Sequence, residues 1–200
     1  MTAHLTHSND TKERILDAAE AIMLEKGFNG VGINEILKSA NIPKGSFYHW
    51  FPSKEQFGVE LLNHYGADAM AHKEKWLLNR SMIPSAYDRF IAYLESGITC
   101  FIENECRQIC LIVKLSAEVC SWSDNMRETL ERLYNRMRQL YQTVIEEGQA
   151  QGTIRKDLDA NHFAAVIHDA WLGAYIRAAV SRSIQPGRDI INFAKAHLAP

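Results

Sequence analysis

The chain has no long apolar run. No stretch approaches the ~18 residues that a membrane-spanning helix requires, and the opening MTAHLTHSND has neither a basic segment nor an apolar core, so no secretory signal is expected there. A cytoplasmic protein with no membrane partner is the expectation. There is no glycine-rich phosphate loop, no apolar–polar alternation of the kind strands carry, and no internal repeat, which points to an all-α chain. Cysteine is scarce. Four occur, Cys100, Cys106, Cys110 and Cys120, within one short segment, and without secretion features reduced thiols are the default over a disulfide framework. No CxxC sits in a βαβ setting, so thiol oxidoreductase chemistry is not expected. Cys106 and Cys110, four apart, could offer two metal ligands, but no paired CxxC or HxxxH supplies the other two. Neither an enzyme nor a cofactor is expected. An excess of positive charge is also missing: the net charge is -2 and the pI about 6.4, which argues against a non-specific DNA-packaging protein. At 200 residues, with 46% apolar and 23% charged residues, the composition is that of a globular protein.

What is present centres on Val31 to Lys54, VGINEILKSANIPKGSFYHWFPSK. Ile33, Ile36, Leu37 and Ala40 recur at helical spacing. Asn41 tolerates a left-handed turn, and Pro43 ends one helix while presetting the next. Phe47 and Phe51, four apart, share a face assigned to a small core. Gly45 and His49 then point the other way, flanked by Lys44 and Tyr48 on one side and Ser46 and Trp50 on the other. Between Ile36 and Lys54 there is no acidic residue, while Lys38, Lys44 and Lys54 give a local charge of +3 in a chain of net charge -2. A polyanion is attracted to such a patch. A glycine that permits close backbone approach, beside the hydrogen-bonding tips of Ser46, Tyr48 and His49, suits phosphate and base-edge contact. This is how a helix-turn-helix reads.

The run GFNGVGINEILKSANIPKGSFYHWFPSKEQF resembles the DNA-binding domain of TetR-family transcriptional regulators over about residues 10 to 57, through Gly27-Phe28, Ile36, Gly45, Tyr48, Phe51 and Lys54. The resemblance implies an N-terminal three-helix helix-turn-helix domain, 1–54, and a C-terminal helical bundle domain, 55–200, with about nine helices in all. Lys44, Gly45, Ser46, Tyr48, His49 and Lys54 are the expected contacts to a double-stranded DNA operator. The hydroxyl residue often found at the start of the second helix is Val31 here, with Gly32 beside it, and Asn34 is the candidate replacement.

Residues 1–9 are read as frayed, with an Asp10–Glu13 capping box starting the first helix, which runs to Gly27. Ser53 and Gln56 form a second box that opens a long helix to about Leu78. That helix is the natural connecting lever. Pro84 is expected at a first helical position of a helix reaching Asn104, Arg107–Val119 form a short apolar helix, and a long helix runs from Asp124 until Gly148 and Gly152 stop it. From Asp159 the chain is apolar on almost every side, and Ala164, Ala165, Gly173, Ala174, Ala178 and Ala179 permit close helix approach. With the last helix, from Pro186 to about His197, it is expected to form the four-helix interface of a homodimer, as in the family. Two half-sites about 34 to 36 Å apart, or a multiple of that, then require a palindromic operator.

The segment Cys110 to Arg127, CLIVKLSAEVCSWSDNMR, and the run Trp171 to Ser183 resemble the branch of the family that senses reactive electrophiles such as N-ethylmaleimide. In that branch a cysteine at the position of Cys110 is associated with sensing electrophiles and oxidants. Independently, a thiol at a helix N-terminus with Lys114 one turn on is suited to reactivity, and Cys106 is the candidate resolving partner. No lysine lies between Lys156 and Lys195, leaving Arg177, Arg182 or His168 as cations from the last helices. The alternative small-molecule effector is a reversible ligand, for instance an unsaturated carboxylate. It would be held by Phe101, Trp122, Tyr141, Phe163, His168, Trp171, Tyr175 and Arg177. A metal-responsive regulator using Cys106 and Cys110 is the third reading.

Overall fold

The computed structural model describes the backbone of residues 3–107 and 110–200 and the side chains from Thr11 onward within those ranges. Among the described residues there are nine α-helices, one 3₁₀ turn and no strand. In chain order the helices are α1 (Ala3–Lys26), α2 (Ile33–Ser39), α3 (Phe47–Trp50) preceded by the 3₁₀ turn Lys44–Ser46, α4 (Lys54–Leu77), α5 (Ala86–Glu103), α6 (Leu111–Val119), α7 (Asp124–Gln151), α8 (Ala160–Ser181) and α9 (Gln185–Leu198). The chain divides into two compact units, Met1–Ala67 with Cys110–Glu131, and Asp68–Ile109 with Arg132–Pro200. The sequence boundary at Lys54 falls inside the first unit.

Several ends differ from the sequence reading. Helix α1 begins at Ala3, within the stretch read as frayed, and the Asp10 side chain of the expected capping box lies outside the described residues. The second helix of the helix-turn-helix is a 3₁₀ turn running into a single α-turn, since Gly45 and Ser46 are poor helix formers at its start. Helix α5 starts at Ala86, so Pro84 lies before the helix instead of at its first position, and Ser85 is the cap, its hydroxyl accepting from the Asp88 amide at 3.2 Å. Helix α6 begins after Cys110 instead of at Arg107, and Gln108 and Ile109 of the expected helix lie outside the described residues. Helix α7 continues through Gly148 and stops before Gly152, whose φ of 74° ends it. Gly148 is required for packing instead: a Cβ there would meet the Ile154 side chain at 2.5 Å.

In the first unit the apolar faces of α1, α2 and α3 close on one another through Ile15, Met23, Ile36 and Phe47, all fully buried. Phe47 and Phe51 share the inward face as their spacing implied, with ring centroids 5.2 Å apart, and Phe57 of α4 completes the aromatic cluster. Asn41 has φ 54°, the left-handed turn read from its side chain. Gly58 of α4 lets the side chains of Met126 of α7 and Phe28 approach to where a Cβ would be 2.7 Å away, so both pack directly on the α4 backbone. The second unit is centred on Phe90, Tyr141 and Ile167, around which α5, α7, α8 and α9 pack.

Candidate functional site

The turn after α2 and the short helix α3 project one face of the first unit outward. Lys44, Gly45, Tyr48 and His49 are exposed there and Ser46 is half-buried, while Tyr48, its ring edge-on to Phe47 at 5.4 Å, is still 66% exposed. The Gly45 backbone does not need glycine: a Cβ would have no atom within 4 Å, and its φ is not positive. The fold therefore leaves the approach to this backbone open without using it. Asn34 is exposed on the first turn of α2, and Val31 beside it is fully buried in the core.

Lys54 behaves differently from Lys44. Its ammonium turns inward, donating to the Phe28 carbonyl at 2.8 Å and lying 4.8 Å from the centre of the Phe28 ring. Burial pushes its pKa down, partly offset by the charge of Glu118. In this arrangement it braces the α1–α2 corner. Sequence reading treated both lysines alike because burial has no signature in a polar run.

Helix α6 belongs to the same compact unit as the exposed α3 face. Cys110 is its N-cap residue, half-buried, and its Sγ lies 3.6 Å from the Tyr65 hydroxyl of α4. Burial, then the neighbouring Cys110 sulfur, push the Tyr65 phenol well above its usual range, while the Leu111 amide pulls the other way. The phenol thus stays protonated, and in its contact with Cys110 either the hydroxyl or the thiol can donate. Lys114, one turn after Cys110, spends its ammonium on the last carbonyls of α1, Leu24 at 2.8 Å and Glu25 at 2.7 Å, where a cation satisfies orphan acceptors and opposes the helix dipole. Glu118 accepts the Asn29 amide at 2.9 Å, and its carboxylate occupies the space that a Cβ on Gly27 would need. Ser123, cap of α7, donates to Glu55 at 2.6 Å on the first turn of α4. None of Tyr65, Glu118 or Glu55 could have been singled out from sequence, because each partner is 45 to 89 residues away.

Cys106 is not on a turn adjacent to Cys110. It is buried in the second unit, in the turn after α5, with φ 53°, and its carbonyl accepts from Arg182 at 2.9 Å. The i,i+4 geometry assumed for a resolving thiol or a metal pair is therefore absent, because Cys106 and Arg107 are not helical. Among the described residues no group of three or more His, Cys, Asp and Glu side chains could hold a metal ion, and no helix is long and apolar enough to cross a membrane.

The residues proposed for a reversible pocket do not form one set. Trp122 is exposed, lies in the first unit and packs on Phe28 at 5.8 Å. Arg177 is exposed on α8. In the second unit Phe101 and Trp171 stack at 6.1 Å with Tyr175 edge-on to both, Phe163 stacks on Phe193, and Tyr141 meets His168 at 6.2 Å. These rings fill one another's space, as aromatics at helical spacing do in a core. Cys100 and Cys120 are exposed.

The comparisons agree with this arrangement. Residues 15–61 match the family of bacterial regulatory proteins of the tetR family, and residues 86–193 match the tetracyclin repressor-like C-terminal domain. The chain is 37% identical to the HTH-type transcriptional repressor NemR of Escherichia coli over 93% of its own length and 92% of the relative's. It is 31% identical to the transcriptional repressor DhaR of a Mycobacterium species, covering 88% and 85%. Among solved structures, the reduced form of E. coli NemR superposes with a TM-score of 0.84 at 33% identity, covering 95% of this chain and 98% of that one. A TetR regulatory protein from Rhodobacter sphaeroides also gives 0.84, at 26% identity, covering 94% and 98%. The chain therefore belongs to the TetR family of bacterial regulatory proteins and is a DNA-binding helix-turn-helix transcriptional repressor of that type.

Proposed function

We propose that this repressor leaves a palindromic operator when Cys110 is modified by an electrophile or oxidant. The observation that carries the reading is the position of Cys110: at the N-terminus of α6, against Tyr65 of α4, inside the unit that bears the exposed α3 face. An electron-poor alkene would be attacked by the Cys110 sulfur at its β-carbon. The carbon–sulfur bond forms as the π pair moves to the α-carbon, which takes up a proton, and no oxidant is consumed. The adduct needs room at the sulfur, and the Tyr65 hydroxyl 3.6 Å away occupies it. Displacing Tyr65 displaces α4, and α6 is tied to the end of α1 through Lys114 and to the turn after it through Glu118. Lys114 acts in this reading as the anchor of the sensor helix. The solved relative described as a reduced form fits a regulator with a redox-sensitive state.

Lys44, Gly45, Ser46, Tyr48 and His49 carry the DNA contact in this reading, with Asn34 at the flank and Lys54 bracing the corner. TetR-family repressors typically act as dimers, and the surface of α8 supports the same here. Val166, Gly173, Ile176 and Val180 lie along one face of that helix and are all exposed, with Val180 at 69% and open space above Gly173. An apolar stripe of this kind on a cytoplasmic regulator suits burial against a second copy.

The test is operator release measured with N-ethylmaleimide, hydrogen peroxide and small carboxylates on the wild type and on Cys110→Ser and Cys106→Ser. Release by the electrophile should disappear in Cys110→Ser and persist in Cys106→Ser. Release that survives the Cys110 change removes this thiol as the trigger.

A further inference from the structure

The end of α4 forms a second cleft that thiol sensing does not use. Met70 and Leu77, seven residues apart, are buried. At about 3.6 residues per turn, His72, Lys75, Trp76 and, just past the helix, Asn79 emerge roughly opposite them. The α4–α5 connection folds back over this outward face, and Met82 and Ile83 close a cavity of about 230 Å³ with Arg89 at its base.

The wall is held firmly. Arg89, fully buried, donates from Nε to the Leu77 carbonyl, from Nη1 to the carbonyls of Ile83 at 2.8 Å and Pro84 at 3.2 Å, and from Nη2 to Glu147 at 2.8 Å. Glu147 also takes Arg80, so both groups are committed to shaping the loop. The rim is different. Among the described residues neither His72 nor Lys75 has a hydrogen-bond or ion-pair partner, no carboxylate lines the cavity, and Glu74 beside them is bound to Arg136. Met82 is 74% exposed with Trp76 half-buried, an apolar body under a cationic edge in a chain of net charge -2.

We propose that this cleft binds a small amphipathic anion, an aromatic or branched aliphatic carboxylate. Its apolar body lies between Trp76 and Met82, and its carboxylate faces Lys75 and His72. The volume is below the ~300–1,000 Å³ of drug-sized sites and suits a ligand on the order of ten non-hydrogen atoms. Because the rim is exposed, its charge sets preference more than affinity: an acid should be favoured over its amine counterpart on the order of tenfold at low salt.

The experiment uses the full-length protein labelled with fluorotryptophan; of its four tryptophan resonances, those of Trp76 and Trp171 are assigned with Trp76→Phe and Trp171→Phe. Phenylbutyrate, phenylbutanol and phenylbutylamine are titrated in turn. The Trp76 resonance should move saturably with the acid, about tenfold more weakly with the amine, and unchanged in Cys110→Ser, which separates this site from the thiol. Lys75→Glu, at an exposed position that leaves the core intact, should reverse the preference. No saturable movement of Trp76 with the acid, equal response to acid and amine, or movement of the buried Trp171 in its place would each overturn the assignment.

Discussion

Replacing Lys54 by methionine keeps the aliphatic stem and removes only the ammonium. That group donates to the Phe28 carbonyl at 2.8 Å and sits 4.8 Å from the ring centre. A charge-assisted hydrogen bond contributes about 1.5–3 kcal/mol and a cation–π contact at an exposed site about 0.5–1 kcal/mol. The side chain is only partly buried, and its lowered pKa reports a desolvation cost that the methionine relieves. The net loss should be about 1–2 kcal/mol, and for a chain of this size roughly 2–8 °C in Tm, measured without DNA. Lys44 is exposed, so Lys44→Met should leave Tm unchanged. Operator binding followed across a salt series then divides the two: Lys44→Met should flatten the slope of log K against log salt by about 1, and Lys54→Met should not. If Lys54→Met melts like the wild type and loses a unit of slope, its ammonium is a phosphate contact and the inward bracing is not its role.

Gly45→Ala should fold normally and raise Tm by about 1–4 °C, from a gain of roughly 0.4–1 kcal/mol in the unfolded chain's entropy, while weakening operator binding. A variant that binds DNA as tightly as the wild type would show that close backbone approach at Gly45 is not needed. The pKa of His168 is lowered by burial, helped by Lys73 and Arg138 and partly offset by Asp169. Its folded value is below its unfolded value near 6.5, so its neutral form is favoured by folding and the penalty grows as pH falls through about 6.5. The drop in Tm between pH 8 and 5 should be smaller in His168→Gln than in the wild type, and equal drops would remove His168 as a contributor.

The order of helices, the left-handed turn at Asn41 and the inward pair Phe47 and Phe51 were legible from sequence. Each depends on residues within a few positions, where periodicity and backbone preference act directly. The exposed cluster at Lys44 to His49 was legible too, since a core face defined at Phe47 forces its neighbours outward. Tertiary structure alone decided which charges remain free. It turned Lys54 onto Phe28 and Lys114 onto the end of α1, left Lys75 without a partner among the described residues, and put Tyr65 beside a thiol 45 residues away. It also assigned Cys106 and Cys110 to different units, although four residues separate them in the chain. Long side chains choose partners by packing and desolvation, which are properties of the assembled surface, and no local pattern in the chain encodes them.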